Sequence, residues 1–162
     1  MAFQQRDCNG MASGSLSLRY ASRGLFELTV RTCFAAAHAI VMAGVREPVH
    51  GHNWEVVVGV EGERLDADGL LCDFHAVEAA LASVVAPFRN RSLNDVAPFD
   101  VINPTAELVA AHVVDEMTRR LHAVLAPTGA RVAFASVTEA PGCIATCRPP
   151  HPPTGAAAPN AR

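Results

Sequence analysis

Two stretches of apolar alternation, then two helical stripes, then two short alternating stretches predict an α+β fold for this chain. The expected order is ββααββ, with both helices covering one face of an antiparallel sheet. The 162 residues suffice for one domain with a proper core. A four-stranded sheet clad on one face leaves its other face and its edges needing cover, and association of identical chains is one natural solution.

The first strand opens at Phe26, where Phe26, Leu28, Val30, Phe34 and Ala36 alternate with Glu27, Thr29 and Arg31, and it ends near His38. Residues 39–49, with Gly44 and Pro48, read as a loop. A second strand from about His52 to Glu61 puts Trp54, Val56, Val58 and Val60 on one face, and Trp54 is expected in the core. Asp66-Ala67-Asp68-Gly69 is a turn signal. Phe74, Val77, Leu81 and Val84 or Val85 form a 3.6-residue stripe that stops before Pro87. The second helix opens with Asn103 as N-cap and Pro104 at its first position. Its stripe is Val109, Val113, Met117, Leu121 and Val124, closed by Pro127 and Gly129. Strands over about 131–139 and 143–147, joined at Pro141-Gly142, complete the sheet.

Residues 25–148 are therefore the expected domain. Residues 1–24, polar and Ser/Gly-rich, and 149–162, rich in Pro, Ala and Gly, are expected to be flexible tails. A net charge of -3, with every one of the 13 basic residues an arginine and none in a long run, argues against a nucleic-acid partner. No apolar run approaches the roughly 20 residues of a membrane span, and the first 24 residues lack the apolar centre of a secretory signal. Five irregularly spaced cysteines fit reduced thiols in a cytoplasm. Cys143 and Cys147 have the spacing of half a metal site with no second pair to close it, so buried inert thiols are expected there.

His50-Gly51-His52 carries the chemistry. Residues i and i+2 of a strand point to the same side, so both imidazoles lie at the head of the Trp54 face. His38, at the end of the preceding strand, can join them in a three-nitrogen cup. Three imidazoles with a fourth position open suit a catalytic zinc ion better than a structural one, which closes with four protein ligands. The bland alternative is three scattered core or surface histidines.

Several pieces now fall in order: Phe34-Ala-Ala-Ala-His38, His50-Gly-His52-Asn53-Trp54, Gly69-Leu-Leu-Cys-Asp73-Phe74, Ser92-Leu93-Asn94, Asn103-Pro-Thr105-Ala-Glu107 and Val137-Thr-Glu139. Together, over about residues 25–148, they resemble the 6-pyruvoyl-tetrahydropterin synthase and 6-carboxy-tetrahydropterin synthase family. The resemblance implies the T-fold (tunnelling fold), trimers that close a barrel and stack in pairs, active sites between subunits, and Zn2+ held at His38, His50 and His52. It also implies a dihydropterin substrate. A pterin presents an N–H beside an amino group, a paired donor edge that one carboxylate accepts with both oxygens. Glu139 resembles the anchoring glutamate, and Thr105 and Glu107 the supporting groups. Read without the family, Glu139 is a solvated turn residue and Glu107 a carboxylate at a helix N-terminus.

The departures bear on activity. The resemblance implies a cysteine in the loop before His-Gly-His and an Asp-His pair before the Leu-Asn motif. This chain has no thiol over 42–49 and reads Arg89-Asn90 at the second place, groups that exchange no proton near neutral pH. Glu47, three residues before His50, resembles a family variant in which glutamate replaces the cysteine and the side chain is cleaved. It is the candidate base; otherwise it is an exposed loop carboxylate, which Arg46 could pair with unless that arginine meets a substrate phosphate. Arg89 and Arg91 could meet a triphosphate or remain solvated. His75 is a candidate proton carrier or a partly exposed helix histidine, and His112, His122 and His151 read as helix-surface or tail residues. The expected function is a zinc-dependent lyase acting on 7,8-dihydroneopterin triphosphate or a close relative, with a pterin- or purine-binding homologue that has lost or changed the activity as the alternative.

Overall fold

In the computed structural model, which describes residues 24–150, two long strands carry the architecture: β1 (Phe26–His38) and β4 (His50–Gly62). They pair antiparallel without a break, from Phe26 opposite Gly62 to His38 opposite His50. Between them the chain makes a small hairpin, β2 (Val41–Met42) with β3 (Val45–Arg46), where a plain loop is expected from the sequence. Its two turn residues, Ala43 and Gly44, both have positive φ, the conformation that suits a two-residue hairpin connection.

After β4 come helix α1 (Phe74–Val85), a short edge strand β5 (Arg91–Ser92), helix α2 (Ala106–Leu125), and strands β6 (Arg131–Ala140) and β7 (Cys143–Cys147). The sheet order is β5-β1-β4-β6-β7. The four long strands are those the sequence predicts. β5, too short to leave an alternating pattern, adds two residues parallel to β1. Both flanking segments expected as tails fall almost wholly outside the described residues.

Even-numbered residues of β1 and β4 share one face, because the register pairs even numbers with even and odd with odd. Leu28, Val30, Phe34, Trp54, Val56, Val58 and Val60 lie there, buried with Val77 and Leu81 of α1 and Val109, Val113, Met117 and Leu121 of α2. Trp54 is fully buried, as expected, and its indole N–H donates to the Ala36 carbonyl at 3.2 Å. Val124 is partly exposed while Leu125 takes its place in the core.

Helix α2 starts differently from the sequence expectation. The N-cap of α2 is Thr105, whose hydroxyl accepts from the Leu108 amide at 3.3 Å. Asn103 instead clasps the chain at Val41: its side-chain oxygen accepts from Val41 N at 2.9 Å and its amide donates to Val41 O at 3.0 Å. A side-chain amide bonded twice to one residue replaces a strand partner, so the cap passes to the next hydroxyl.

Candidate metal centre and cleft

Three imidazoles meet where β1 ends and β4 begins. His38 and His50 are register partners, and His52 lies diagonally across from His38 on the same face. Ring centroids are 4.7 Å apart for His38–His50, 5.2 Å for His38–His52 and 4.8 Å for His50–His52. All three contacts are edge-on rather than stacked.

Backbone carbonyls fix two of the tautomers. His38 Nδ1 lies 2.8 Å from Pro104 O and His50 Nδ1 lies 3.0 Å from Pro48 O. A carbonyl only accepts, so each Nδ1 must be the N–H, and in the neutral ring Nε2 carries the lone pair. Burial holds His52 below its ordinary pKa; the Glu139 carboxylate pulls the other way, and His38 and His50 add to the effect of burial. His52 is therefore neutral near pH 7. The cup is a set of lone pairs.

Glu139 enters this cup. Its Oε1 is 2.8 Å from His38 Nε2 and 3.3 Å from His52 Nε2. At those distances an ion pair could be counted, yet both nitrogens are buried and neither has a hydrogen bond of acceptable geometry. The tautomer that donates through Nδ1 to Pro104 O has no proton left at Nε2 to offer the carboxylate. In that tautomer a carboxylate oxygen faces buried nitrogen lone pairs, which costs free energy unless a cation lies between them. One donor atom from each of His38, His50, His52 and Glu139 lies within 4.8 Å of the others, so the four could hold a metal ion together.

The segment after His38 is held by side-chain amides that sequence reasoning did not assign. Asn94 accepts from Ala39 N at 2.8 Å and donates to Ala39 O at 2.9 Å; with Asn103 on Val41 it forms a second clamp of the same kind. Between them Ile40 donates to Glu47 Oε1 at 3.0 Å and accepts from Glu47 N at 3.1 Å. Glu47 is accordingly half-buried: it closes the hairpin loop, with the same oxygen 3.7 Å from His50 Nδ1. The only trace of these clamps in the sequence is an Asn within each of two quoted motifs.

A cleft of about 500 Å³ opens beside the cup, and His38, Thr105, Glu107, Glu139, Met42 and Cys143 are among the residues lining it. The three residues expected to bind substrate therefore share one wall with a candidate metal ligand. Cys143 corrects the expectation of buried thiols: it is exposed, Cys147 is half-buried, and of the two neither is inert by burial. A second hollow on the far side of β1 brings His52 together with Asn90, Arg91 and Ser92. Arg89 reaches away to the Thr32 hydroxyl at 3.3 Å.

His75 stands apart from both hollows. It is almost fully exposed, 3.1 Å from Asp73, which caps α1. His112, expected on the helix surface, is half-buried edge-on between Phe88 and Phe99, and burial lowers its pKa. His122 is exposed as expected, and His151 falls outside the described residues.

An antiparallel sheet backed by two helices, with a His-His-His-Glu cup at one end, defines an α+β enzyme scaffold of the T-fold class carrying a candidate metal centre. The family model described as 6-pyruvoyl tetrahydropterin synthase matches residues 27–150, and the chain belongs to that family. Among curated relatives, an Archaeoglobus fulgidus protein named "Putative 6-carboxy-5,6,7,8-tetrahydropterin synthase" is 30% identical over 91 residues, 56% of this chain and 75% of that one. The dihydroneopterin monophosphate aldolase of Pyrococcus furiosus is 32% identical over 91 residues, 56% of this chain and 74% of that one. Among solved structures, Caenorhabditis elegans 6-pyruvoyl tetrahydropterin synthase superposes with a TM-score of 0.66 at 20% identity, covering 78% of this chain and 97% of that one. Plasmodium vivax 6-pyruvoyltetrahydropterin synthase, in a variant with a catalytic glutamate replaced by alanine, gives 0.66 at 18%, over 76% and 97% of the two chains. These structures share the fold. Family membership makes the chain a homologue of pterin-metabolism lyases, and no helix among the described residues is long and apolar enough to cross a membrane.

Proposed function

We propose that the protein is a zinc-dependent lyase that cleaves the side chain of 7,8-dihydroneopterin triphosphate or a close relative. The observation that carries this reading is the buried cup of uncompensated lone pairs at His38 and His52, opening on the cleft of Thr105, Glu107 and Glu139. His38, His50 and His52 are the donor set that zinc prefers at catalytic sites, although such a set also accepts other divalent ions. Bound there, the metal would polarise side-chain oxygens of the substrate and lower the pKa of a hydroxyl.

The remaining roles belong to the chain. Glu139 accepts the paired donor edge of the pterin, with Thr105 and Glu107 supporting it. Glu47 accepts the proton of the hydroxyl on the second side-chain carbon. The bond between the first and second carbons then breaks, releasing an aldehyde. Its electron pair enters the ring's C=N bond, and return of a proton to the first carbon leaves a hydroxymethyl pterin. General-base help of this kind is worth about 10²–10⁴-fold. Cleavage fits a chain with Glu47 where the resemblance implies a cysteine, and with Arg89-Asn90 in place of a titrating pair. It also agrees with an aldolase among its relatives.

We read the assembly as a homo-oligomer, a trimer or a dimer of trimers. Val41, Met42, Val45, Val49 and Ile144 are exposed apolar side chains around the cleft and hairpin, which association would cover. A cytoplasmic, small-molecule enzyme without nucleic-acid or membrane partners completes the reading. The test is turnover of dihydroneopterin triphosphate by the zinc-loaded full chain beside Glu47→Gln. A loss of about 10²-fold or more in kcat for the variant is expected, and an intact substrate after incubation with the wild type would overturn the reading. One observation favours a second reading, a pterin- or purine-binding homologue without turnover: Glu47 already spends one oxygen on the Ile40 amide. Tight pterin binding with no product in the same assay would favour it.

A further inference from the structure

The cup holds a fourth donor, and its position decides how the centre works. We propose that Glu139 is a ligand of the metal in the substrate-free protein, and that binding of the pterin ring draws its carboxylate away and so opens the fourth position. This rests on the metal-binding and ring-binding reading above.

Four bonds of about 2.1 Å in tetrahedral geometry put ligand atoms about 3.4 Å apart. The Glu139 oxygen lies 3.3 Å from His52 Nε2, close to that spacing, and 2.8 Å from His38 Nε2, short of it, while the four donor atoms together lie within 4.8 Å of one another. Among the described residues its carboxylate meets these two imidazoles and no arginine. The backbone prepares the placement. Ala135, Val137 and Glu139 alternate on the face of β6 that looks toward the core, and the last register pair with β4 is Thr138 opposite Glu55. One residue further, Glu139 falls where the register with β7 shifts between Thr138 and Ala140 and has no register partner of its own. A bulge at the rim of a sheet re-aims the side chain it carries. His38 is the counterpart: it is 1% exposed and locked by Pro104 O, so it cannot turn away from the carboxylate.

The consequence is a closed four-ligand site at rest, of the kind that holds metals structurally, converted to a three-ligand site by substrate. Glu139 also lines the cleft with Thr105 and Glu107, so a small carboxylate movement exchanges one partner for the other. The same side chain then reports ring occupancy to the metal, and the site becomes open only when the molecule to be cleaved is in place.

Cobalt(II) absorption reads this without turnover. The full-length protein is loaded with cobalt(II), and its visible spectrum and metal affinity are compared with Glu139→Gln and Glu139→Ala. Both variants are expected to shift the spectrum and to weaken metal binding by about tenfold or more. Melting of the metal-free forms checks that the variants fold. Unsubstituted pterin, which has no side-chain oxygens to ligate the ion, is then titrated in while its fluorescence reports binding. The wild-type spectrum is expected to move toward that of Glu139→Ala. Identical spectra and affinities for wild type and Glu139→Ala would overturn the inference while leaving the lyase reading intact. A spectrum that stays constant while pterin binds, or pterin that does not bind, would overturn the exchange. Failure of the wild type to take up any divalent ion would instead sink the reading on which the inference rests.

Discussion

The β1–β4 ladder is one continuous structure with two unlike halves. From Phe26–Gly62 to Phe34–Trp54 its inner face is aliphatic and aromatic, covered by the two helices and polar only at the indole N–H and the Thr32 hydroxyl, each of which has a partner. From Ala36–His52 to His38–His50 the same face, in the same register, carries imidazoles whose buried Nε2 atoms at His38 and His52 have none. Backbone geometry does not distinguish the halves. The first half is complete by itself; the second is complete only with something added, which separates the part of this sheet that folds from the part that acts.

Trp54 sits at the boundary and tests the first half. Its ring is fully buried, stacks 6.2 Å from Phe34 and meets His38 and His52 edge-on. Trp54→Ala is expected to cost about 3–5 kcal/mol in urea or thermal unfolding, and to weaken metal uptake as well because the imidazoles lose their backing. A variant with unchanged stability would show that the halves are not divided where we place the boundary.

The second half predicts the opposite dependence. His52→Ala removes a lone pair that faces a carboxylate, so the metal-free variant is expected to melt within a degree or two of the wild type, or above it. Saturating zinc at about a thousandfold over Kd adds roughly 4 kcal/mol to a protein that binds it only when folded. That increment is expected in the wild type, lost on chelation, and absent or much reduced in His52→Ala. Calorimetry with and without zinc measures all three. A metal-free variant that unfolds many degrees early would mean that the imidazoles belong to the structural half after all.

Sequence alone reached the first half and most of the second for a common reason. Alternation fixes the face of each residue, and an antiparallel return over a short hairpin brings His38 beside His50 with no freedom left. What it missed depends on distant chain. Glu139 is legible as a rim carboxylate on the core face, but its insertion between His38 and His52 depends on a register shift with β7 and on His38 being held by Pro104, 66 residues away. Asn94 and Asn103 act across 55 and 62 residues, so no local pattern announces the clamps. His112 is half-buried because Phe88 and Phe99 come from the connection between the helices, outside the periodicity of α2.

The smallest expected effect comes from a polar cluster that is satisfied and wet. Glu116 on α2 accepts from Arg119 at 2.7 and 3.2 Å and from Arg120 at 3.1 Å, and these bonds, the Arg119 pair foremost, hold its carboxyl down to about 2. The ordinary value is 4.5, so the unfolded chain takes up a proton at a higher pH than the native one does. The contribution is therefore present above pH 4.5 and is lost as pH falls toward 2. Solvent screens the cluster, so Glu116→Gln is expected to cost about 0.5 kcal/mol or less at neutral pH. The difference from wild type should vanish at low pH and shrink in salt. Unfolding midpoints at neutral pH and near pH 3 measure it. Water can substitute for these partners on the helix surface, whereas at the cup burial leaves the lone pairs with no replacement but a cation. A loss at Glu116 as large as that at Trp54 would remove the distinction on which the division of the ladder depends.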